Sequence, residues 1–297
     1  MGFVTAQDGV RLHVVDDGDG IPILFMHEFA GDHRSWRPQV AQFRERYRCI
    51  TYDARGYLPS DVPTDPDAYS YVKGREDAMA VLDGLGIEQA HVVGLSMGGF
   101  NALQLGMHFP DRVRSLVVAS AGSGAAPEGR AQFQAETETV AAGFREQGSE
   151  AMARKLSLGP SRVQLQNKSP EAWQEFLVQL SEHSAEGSAL TLLGVQRLRP
   201  SLWELTDDLR SITAPTLILN GDEDDACLEP GLLLKRTVPT AAMQVLPRTG
   251  HAGNLEHPAT FNRAVQEFFD TVDAGQWTAR DPRSHGRSMT GVDPAGP

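Results

Sequence analysis

Cysteine is scarce in this chain: Cys49 and Cys227 are the only two among 297 residues. One precedes Ile50-Thr51-Tyr52 and the other follows Asp225, so no disulfide framework is expected and a reducing compartment, the cytoplasm, fits. Basic charge is short as well, with 27 Lys and Arg against 39 Asp and Glu and a net charge of −12. That balance repels phosphate backbones and anionic lipid surfaces, so nucleic acid is not an expected partner. No stretch reaches the ~20 apolar residues of a membrane span. Met1 to Asp8 shows no basic segment leading into an apolar one, so no secretory leader is expected and the formal glycosylation acceptor Asn167-Lys168-Ser169 reads as a chance match. Clustered His and Cys ligands are also missing, which implies no metal and no cofactor. What is present, 40% hydrophobic and 22% charged residues, is the composition of an ordinary globular protein. The length suits a core with one insertion.

The stretch that organises the rest is His91-Val92-Val93-Gly94-Leu95-Ser96-Met97-Gly98-Gly99-Phe100. An apolar run enters a G-x-S-x-G motif, and Met97 to Met107 continues with apolar or small residues at helical spacing. This reads as strand, sharp turn, helix. Gly94 and Gly98 lack a Cβ, so the chain can fold back tightly and hold Ser96 on a strained corner with its hydroxyl exposed. In this the chain resembles the α/β-hydrolase superfamily, in which that serine is the nucleophile.

The surrounding pattern agrees. Val10 to Val15, Ile21 to Met26, Arg48 to Tyr52, Val113 to Ser120, Ala214 to Asn220 and Ala242 to Leu246 read as strands, and helix-like segments alternate with them. Among these are a helix from Ser35 to about Arg46, one over Tyr69 to Gly86, one over Leu228 to Thr237, and one carrying Phe261, Val265, Phe268 and Phe269. The expected fold class is α/β, a mostly parallel central sheet flanked by helices, built by right-handed crossovers. After Ser120 the rhythm changes to helix-like segments alone, over Gly129 to Gln147, Ser149 to Ser157, Pro170 to Ala185 and Ser188 to Leu198. The expected domains are therefore a core over 1–120 and 210–273, a helical cap over 121–209, and a disordered tail over 274–297. Phe133, Phe144, Met152, Trp173, Phe176, Leu177, Leu192 and Trp203 could line a substrate pocket under such a cap, though most are expected simply to hold it together.

A serine hydroxyl is a weak nucleophile near neutral pH, so it needs a base and a group that orients the base. His251 lies in a Gly-rich loop after the last strand and Asp224 in the loop before it, giving the superfamily's order Ser, Asp, His. Asp222, Glu223 and Asp225 adjoin Asp224. Resemblance to the superfamily's G-D-x-D segment selects Asp224, while the others read as a solvated turn. Backbone N–H groups of Met97 and, by resemblance to the H-G-x loop, of Phe29 are expected to form the oxyanion hole. His27 is expected to brace that loop, and Asp53 and Arg55, part of a D-x-R-G-x-G-x-S segment that departs at Leu58, to pin the next one as a charged pair.

One departure stands inside the oxyanion loop, where Glu28 replaces the superfamily's glycine. A carboxylate facing a developing oxyanion would oppose it, so Glu28 is expected to point away; the alternative is that it polarises a substrate group or water. Serine at the nucleophile position disfavours the dehalogenase and epoxide hydrolase chemistry of relatives with Asp there. The resemblance implies a carboxylic ester hydrolase acting on a small molecule. Enol-lactone hydrolysis, carbon-carbon cleavage, cofactor-free haloperoxidase activity or a non-catalytic receptor are the alternatives. Substrate identity and oligomeric state do not follow from the sequence.

Overall fold

Alternation of apolar side chains along the strands decides how the two faces of the sheet are covered. The computed structural model describes residues 2–285. Its strands are β1 Gly2–Thr5, β2 Arg11–Asp17, β3 Ile21–Met26, β4 Tyr47–Tyr52, β5 Ala90–Leu95, β6 Val113–Ala119, β7 Thr216–Gly221 and β8 Ala241–Leu246. They form one sheet in the order β1-β2-β4-β3-β5-β6-β7-β8. β2 is antiparallel to both of its neighbours, and every later pair is parallel. The helices are α1 Arg37–Phe43, α2 Tyr71–Gly84, α3 Met97–His108, α4 Arg130–Leu156, α5 Val163–Lys168, α6 Pro170–Ser181, α7 Ala185–Thr191, α8 Thr206–Arg210, α9 Asp225–Thr237, α10 Gly253–Glu256 and α11 Pro258–Asp273.

Leu24, Met26, Val92, Leu116, Val118 and Ile218 are buried on one face with Ala78 and Leu82 of α2 and Leu103 and Leu105 of α3. Ile23, Phe25, Val93, Leu95, Val117 and Leu219 are buried on the other with Phe43 of α1 and Phe261, Val265 and Phe269 of α11. Strands covered on both faces read as continuous apolar runs, which is why the parallel part of the sheet was visible in the sequence. The α/β architecture is the expected one. β1 is an addition: it has four residues of which only Val4 is buried, too little for a periodic signal.

Between β6 and β7 the chain runs through α4 to α8. α4 bends at Gly148, whose φ of 79° breaks the helix where the sequence divides into two helical segments. α5 was not expected, because six residues ending before Pro170 give too short a pattern. Phe144, Met152, Phe176 and Leu192 are buried together with Leu165 and Leu180, and Trp173 packs against them, so these side chains hold the insertion together. The same cluster takes in Phe29 and Ala30 from the loop after β3, which seats the insertion over the carboxyl edge of the sheet. Trp203 packs instead against the first face of the sheet.

The stretch from Ala274, expected to be disordered, begins with anchored residues. Trp277 packs edge-on against Phe268 at 4.7 Å, donates its indole N–H to the Thr240 carbonyl at 2.9 Å, and is followed by an Arg280 N–H donated to Pro239. One apolar ring in polar surroundings supplies that anchor, and composition averages it away. The rest of the expected tail, 286–297, lies outside the described residues.

His91, at the start of β5, is fully buried. It stacks on Phe269 with ring centroids 4.1 Å apart, Nδ1 is 2.7 Å from Ser115 Oγ, and Nε2 is 3.2 Å from Asp273 Oδ1. Burial pushes its pKa down to about 4 although Asp273 opposes the shift. The unfolded chain, with an ordinary histidine near 6.5, then binds a proton more readily between pH 6.5 and 4. Stability contributed by His91 is therefore present above about pH 6.5 and lost as the pH falls toward 4, by at most about 3 kcal/mol. Denaturation midpoints measured from pH 7 to pH 4 should fall, and His91→Gln should flatten that fall.

Candidate active site

The elbow is built by close backbone approach. β5 ends at Leu95, α3 begins at Met97, and Ser96 between them has φ 55° and ψ −109°. Its N–H donates to the Ala119 carbonyl at 2.8 Å, and its own carbonyl accepts from Phe100 N–H at 2.9 Å. A Cβ on Gly94 would lie 2.2 Å from the Gly98 carbonyl oxygen, and one on Gly98 would lie 2.0 Å from that of Met26. Side chains are therefore excluded at both positions, and the turn is pressed against the end of β3. Met97 is the first residue of α3, so its N–H belongs to the helix N-terminus, where the dipole favours negative charge.

The loop after β3 lies against this elbow. His27 Nε2 accepts the Ala54 N–H at 3.1 Å, which leaves the proton on Nδ1, 2.7 Å from the Glu28 carbonyl that accepts it. Burial holds the pKa of His27 below its usual value, consistent with this neutral form. His27 braces the loop, as expected. Tyr57 donates its hydroxyl to the Phe29 carbonyl at 2.8 Å, which holds the Phe29–Ala30 peptide, while the Phe29 N–H belongs to the preceding peptide, whose Glu28 carbonyl accepts from His27.

Asp53 and Arg55 pin the following loop, but not as a pair with each other. Asp53 accepts from His13 Nδ1 at 2.8 Å and from His33 Nδ1 at 3.0 Å. Arg55 is bidentate to Asp77 at 2.7 and 2.6 Å and also reaches Asp8 at 2.9 Å. β4 ends at Tyr52 and the chain turns at Arg55, where the Tyr57 N–H donates to the Ala54 carbonyl at 3.0 Å, so the two side chains leave the backbone on different courses and take different partners.

His251 is buried in the loop after β8, with Nδ1 2.9 Å from Asp224 Oδ2. The four adjacent acids are sorted by their contacts. Asp222 accepts the Thr249 N–H at 3.0 Å, Glu223 accepts from Gln164 of the insertion, Asp225 opens α9, and only Asp224 meets His251. Burial works against the charge on both members of the pair. Their attraction and hydrogen bond outweigh it, so the Asp224 carboxyl stays below the usual range and the His251 imidazole is raised well above its own. Gly221 brings the two loops together, since a Cβ there would lie 2.1 Å from the Thr249 carbonyl oxygen.

Three neighbours were not foreseen. Glu256, in α10, accepts the N–H groups of Gly250 at 2.7 Å and Ala252 at 3.1 Å, holding His251 from both sides in sequence. The Cys227 thiol lies with the Asp224 and His251 ligand atoms in one group whose members are within 4.8 Å of one another, and donates to the Ser120 carbonyl. Arg162, from the turn before α5, is buried and ion-paired with Glu28.

Glu28 corrects the expectation for the departing position. Its backbone avoids positive φ, which among the described non-glycine residues occurs at Ser96, Ser120 and Arg248. Its side chain does not leave the site: it is 2% exposed, and Oε2 is 4.0 Å from His251 Nε2. A cation the local sequence does not contain compensates the buried anion.

Among the described residues no helix is long and apolar enough to cross a membrane. A strained serine between a parallel strand and a helix, with a buried Asp–His pair at the same sheet edge, defines a class of hydrolase, and the comparison with known families agrees. The family described as alpha/beta hydrolase fold matches residues 21–258, and the chain belongs to that family. It is similar to a 3-oxoadipate enol-lactonase of Acinetobacter baylyi, 32% identical over 269 residues that cover 89% of this chain and 94% of that one. A 2-hydroxymuconate semialdehyde hydrolase of Pseudomonas putida is 30% identical over 272 residues, covering 90% and 93%. Among solved structures, a thermophilic esterase from Thermogutta terrifontis superimposes with a TM-score of 0.80 at 26% identity, covering 91% of this chain and 98% of that one.

Proposed function

We propose that this α/β hydrolase cleaves a carboxylic ester or lactone of a small organic molecule through an acyl-serine intermediate. The observation that carries the reading is the buried 2.9 Å contact between Asp224 and His251, at the sheet edge where Ser96 stands on its strained turn. In this reading Ser96 Oγ attacks the carbonyl, His251 Nε2 takes its proton and returns it to the leaving oxygen, and Asp224 holds the ring through Nδ1 and stabilises the imidazolium. The N–H groups of Phe29 and Met97 receive the oxyanion of the tetrahedral intermediate. Water then enters by the same proton relay and releases the acid.

Similarity to an enol-lactonase and to an esterase supports the same bond class, an acyl group on oxygen. In this reading the helical insertion acts as a cap, since its own core takes in the side chain of Phe29, whose N–H is an expected oxyanion donor. Two free buried thiols, Cys49 and Cys227, suit a reducing compartment such as the cytoplasm. The test is hydrolysis of p-nitrophenyl esters of increasing acyl length, with simple lactones alongside. Saturable turnover that declines beyond a limiting chain length is expected. Absence of turnover on every ester and lactone, with tight binding of a small molecule instead, would replace the enzyme by a receptor.

A further inference from the structure

The expected catalytic base is flanked by acid on both sides of its ring. Asp224 meets Nδ1 at 2.9 Å, and Glu28 Oε2 stands 4.0 Å from Nε2, the nitrogen that must exchange protons with Ser96. Glu28 is held by Arg162, whose guanidinium lies over the Phe176 ring at 4.4 Å. The three come from two parts of the chain: Glu28 from the loop after β3, Arg162 and Phe176 from the insertion. The Glu28 carboxyl is kept below its usual pKa despite burial, through Arg162 first and His251 next. Glu28 Oε1 and Arg162 Nη1 are buried without hydrogen-bond partners. A buried ion pair so incompletely satisfied is a poor way to stabilise a fold, and nonpolar side chains of similar size would do as well or better.

We propose that Glu28 and Arg162 are a positioning pair for the base: the Glu28 carboxylate biases the His251 ring from its Nε2 side, and Arg162, brought by the insertion, sets how strongly that bias is felt. This rests on the proposed role of His251. An anion at this distance favours the imidazolium that forms when Nε2 accepts the Ser96 proton. Left uncompensated, the same anion would hold the ring protonated before attack and leave no base. Arg162 opposes that outcome, and because it comes from the insertion the balance exists only while the insertion is seated. Contacts of Gln164 with Glu223 and of Lys168 with the Arg248 carbonyl tie the same segment to the two loops that carry Asp224 and His251.

The other groups around the ring are constant in this comparison. They are Asp224 before α9, Cys227 within it, Ser96 at the elbow, Glu256 on the amides flanking His251, and Lys168 at 3.7 Å from Glu256. His27, behind Glu28, contributes a neutral ring.

The test follows the His251 ring by its carbon-bound protons in NMR spectra of the full chain, assigned by their loss in His251→Asn, alongside the acid limb of kcat/KM on an activated ester. Glu28→Gln should move the His251 titration about one pH unit lower, since a charge within about 4–6 Å shifts a neighbour by about 1–3 units and Arg162 already offsets part of it. Arg162→Gln should move it higher, and Arg162→Lys should bring it back toward wild type. The double variant E28Q/R162Q should titrate between Glu28→Gln, which keeps the Arg162 cation near the ring, and wild type. That variant also strands no buried charge, so it decides the matter if a single variant fails to fold. Titrations that stay put, or that move the same way in Glu28→Gln and Arg162→Gln, overturn the proposal and leave the pair a structural clamp. Turnover with an unmoved ring titration overturns this inference alone. A wild-type chain without turnover overturns the hydrolase reading instead and leaves the ring titration to decide the pair.

Discussion

Replacing Ser96 by alanine is expected to lower kcat on an activated ester by about 10⁴–10⁶-fold, the range seen when the nucleophile of a triad is removed. That corresponds to about 5–8 kcal/mol of transition-state stabilisation at about 1.36 kcal/mol per decade. The folded state should hardly notice. The turn is maintained by backbone bonds from Ser96 to Ala119 and Phe100 and by the two glycine contacts, and alanine meets the same cost as serine at φ 55°. An unchanged melting temperature together with lost turnover would locate the effect in chemistry. The measurement is a steady-state assay of wild type and variant purified side by side, with the variant's melting curve as control. Residual turnover within tenfold of wild type would remove Ser96 from the nucleophile's role.

What was legible in the sequence was what neighbouring residues carry between them. Gly94, Ser96 and Gly98 encode a turn because the steric demand lies within five residues, and the apolar runs at Ile21–Met26, Ala90–Leu95 and Thr216–Gly221 announce strands buried on both faces. The position of His251 after the last strand follows from counting elements. Pairings across long separations were not legible. Glu28 and Arg162 are 134 positions apart, and Arg162 follows Gly159-Pro160-Ser161, which by itself reads as an exposed turn. A charged residue is by default assigned to the surface, so a buried Arg paired with a distant carboxylate leaves no periodic trace. Glu256 is hidden for the same reason: its partners are two backbone amides, which every residue possesses. At Glu28 the sequence identified a departure and the physical problem it raises, but the solution came from a segment whose placement depends on the whole insertion.

The last expectation separates the four acids that the sequence could not rank except by resemblance. Asp224→Asn should lower kcat about 10⁴-fold at neutral pH while KM changes little. Asparagine fits the same space beside His251 Nδ1, so the ring can stay in place, but its amide carries no charge. The attraction to Asp224 is the main effect that raises the His251 imidazole against burial. Without it the proton taken from Ser96 finds a weaker base, and the acid limb of the pH profile should move to lower pH even as the plateau falls. Glu223→Gln should leave both features near wild type, because that side chain reaches Gln164 of the insertion rather than the imidazole. Asp222→Asn should cost stability more than rate, since its carboxylate holds the Thr249 amide at the base of the histidine loop. Kinetics of the three variants across pH, with melting curves for each, test the assignment as a set. If Asp222→Asn silences turnover and Asp224→Asn does not, the orienting acid is the wrong one, and the 2.9 Å contact with His251 would have to be read as a structural bond.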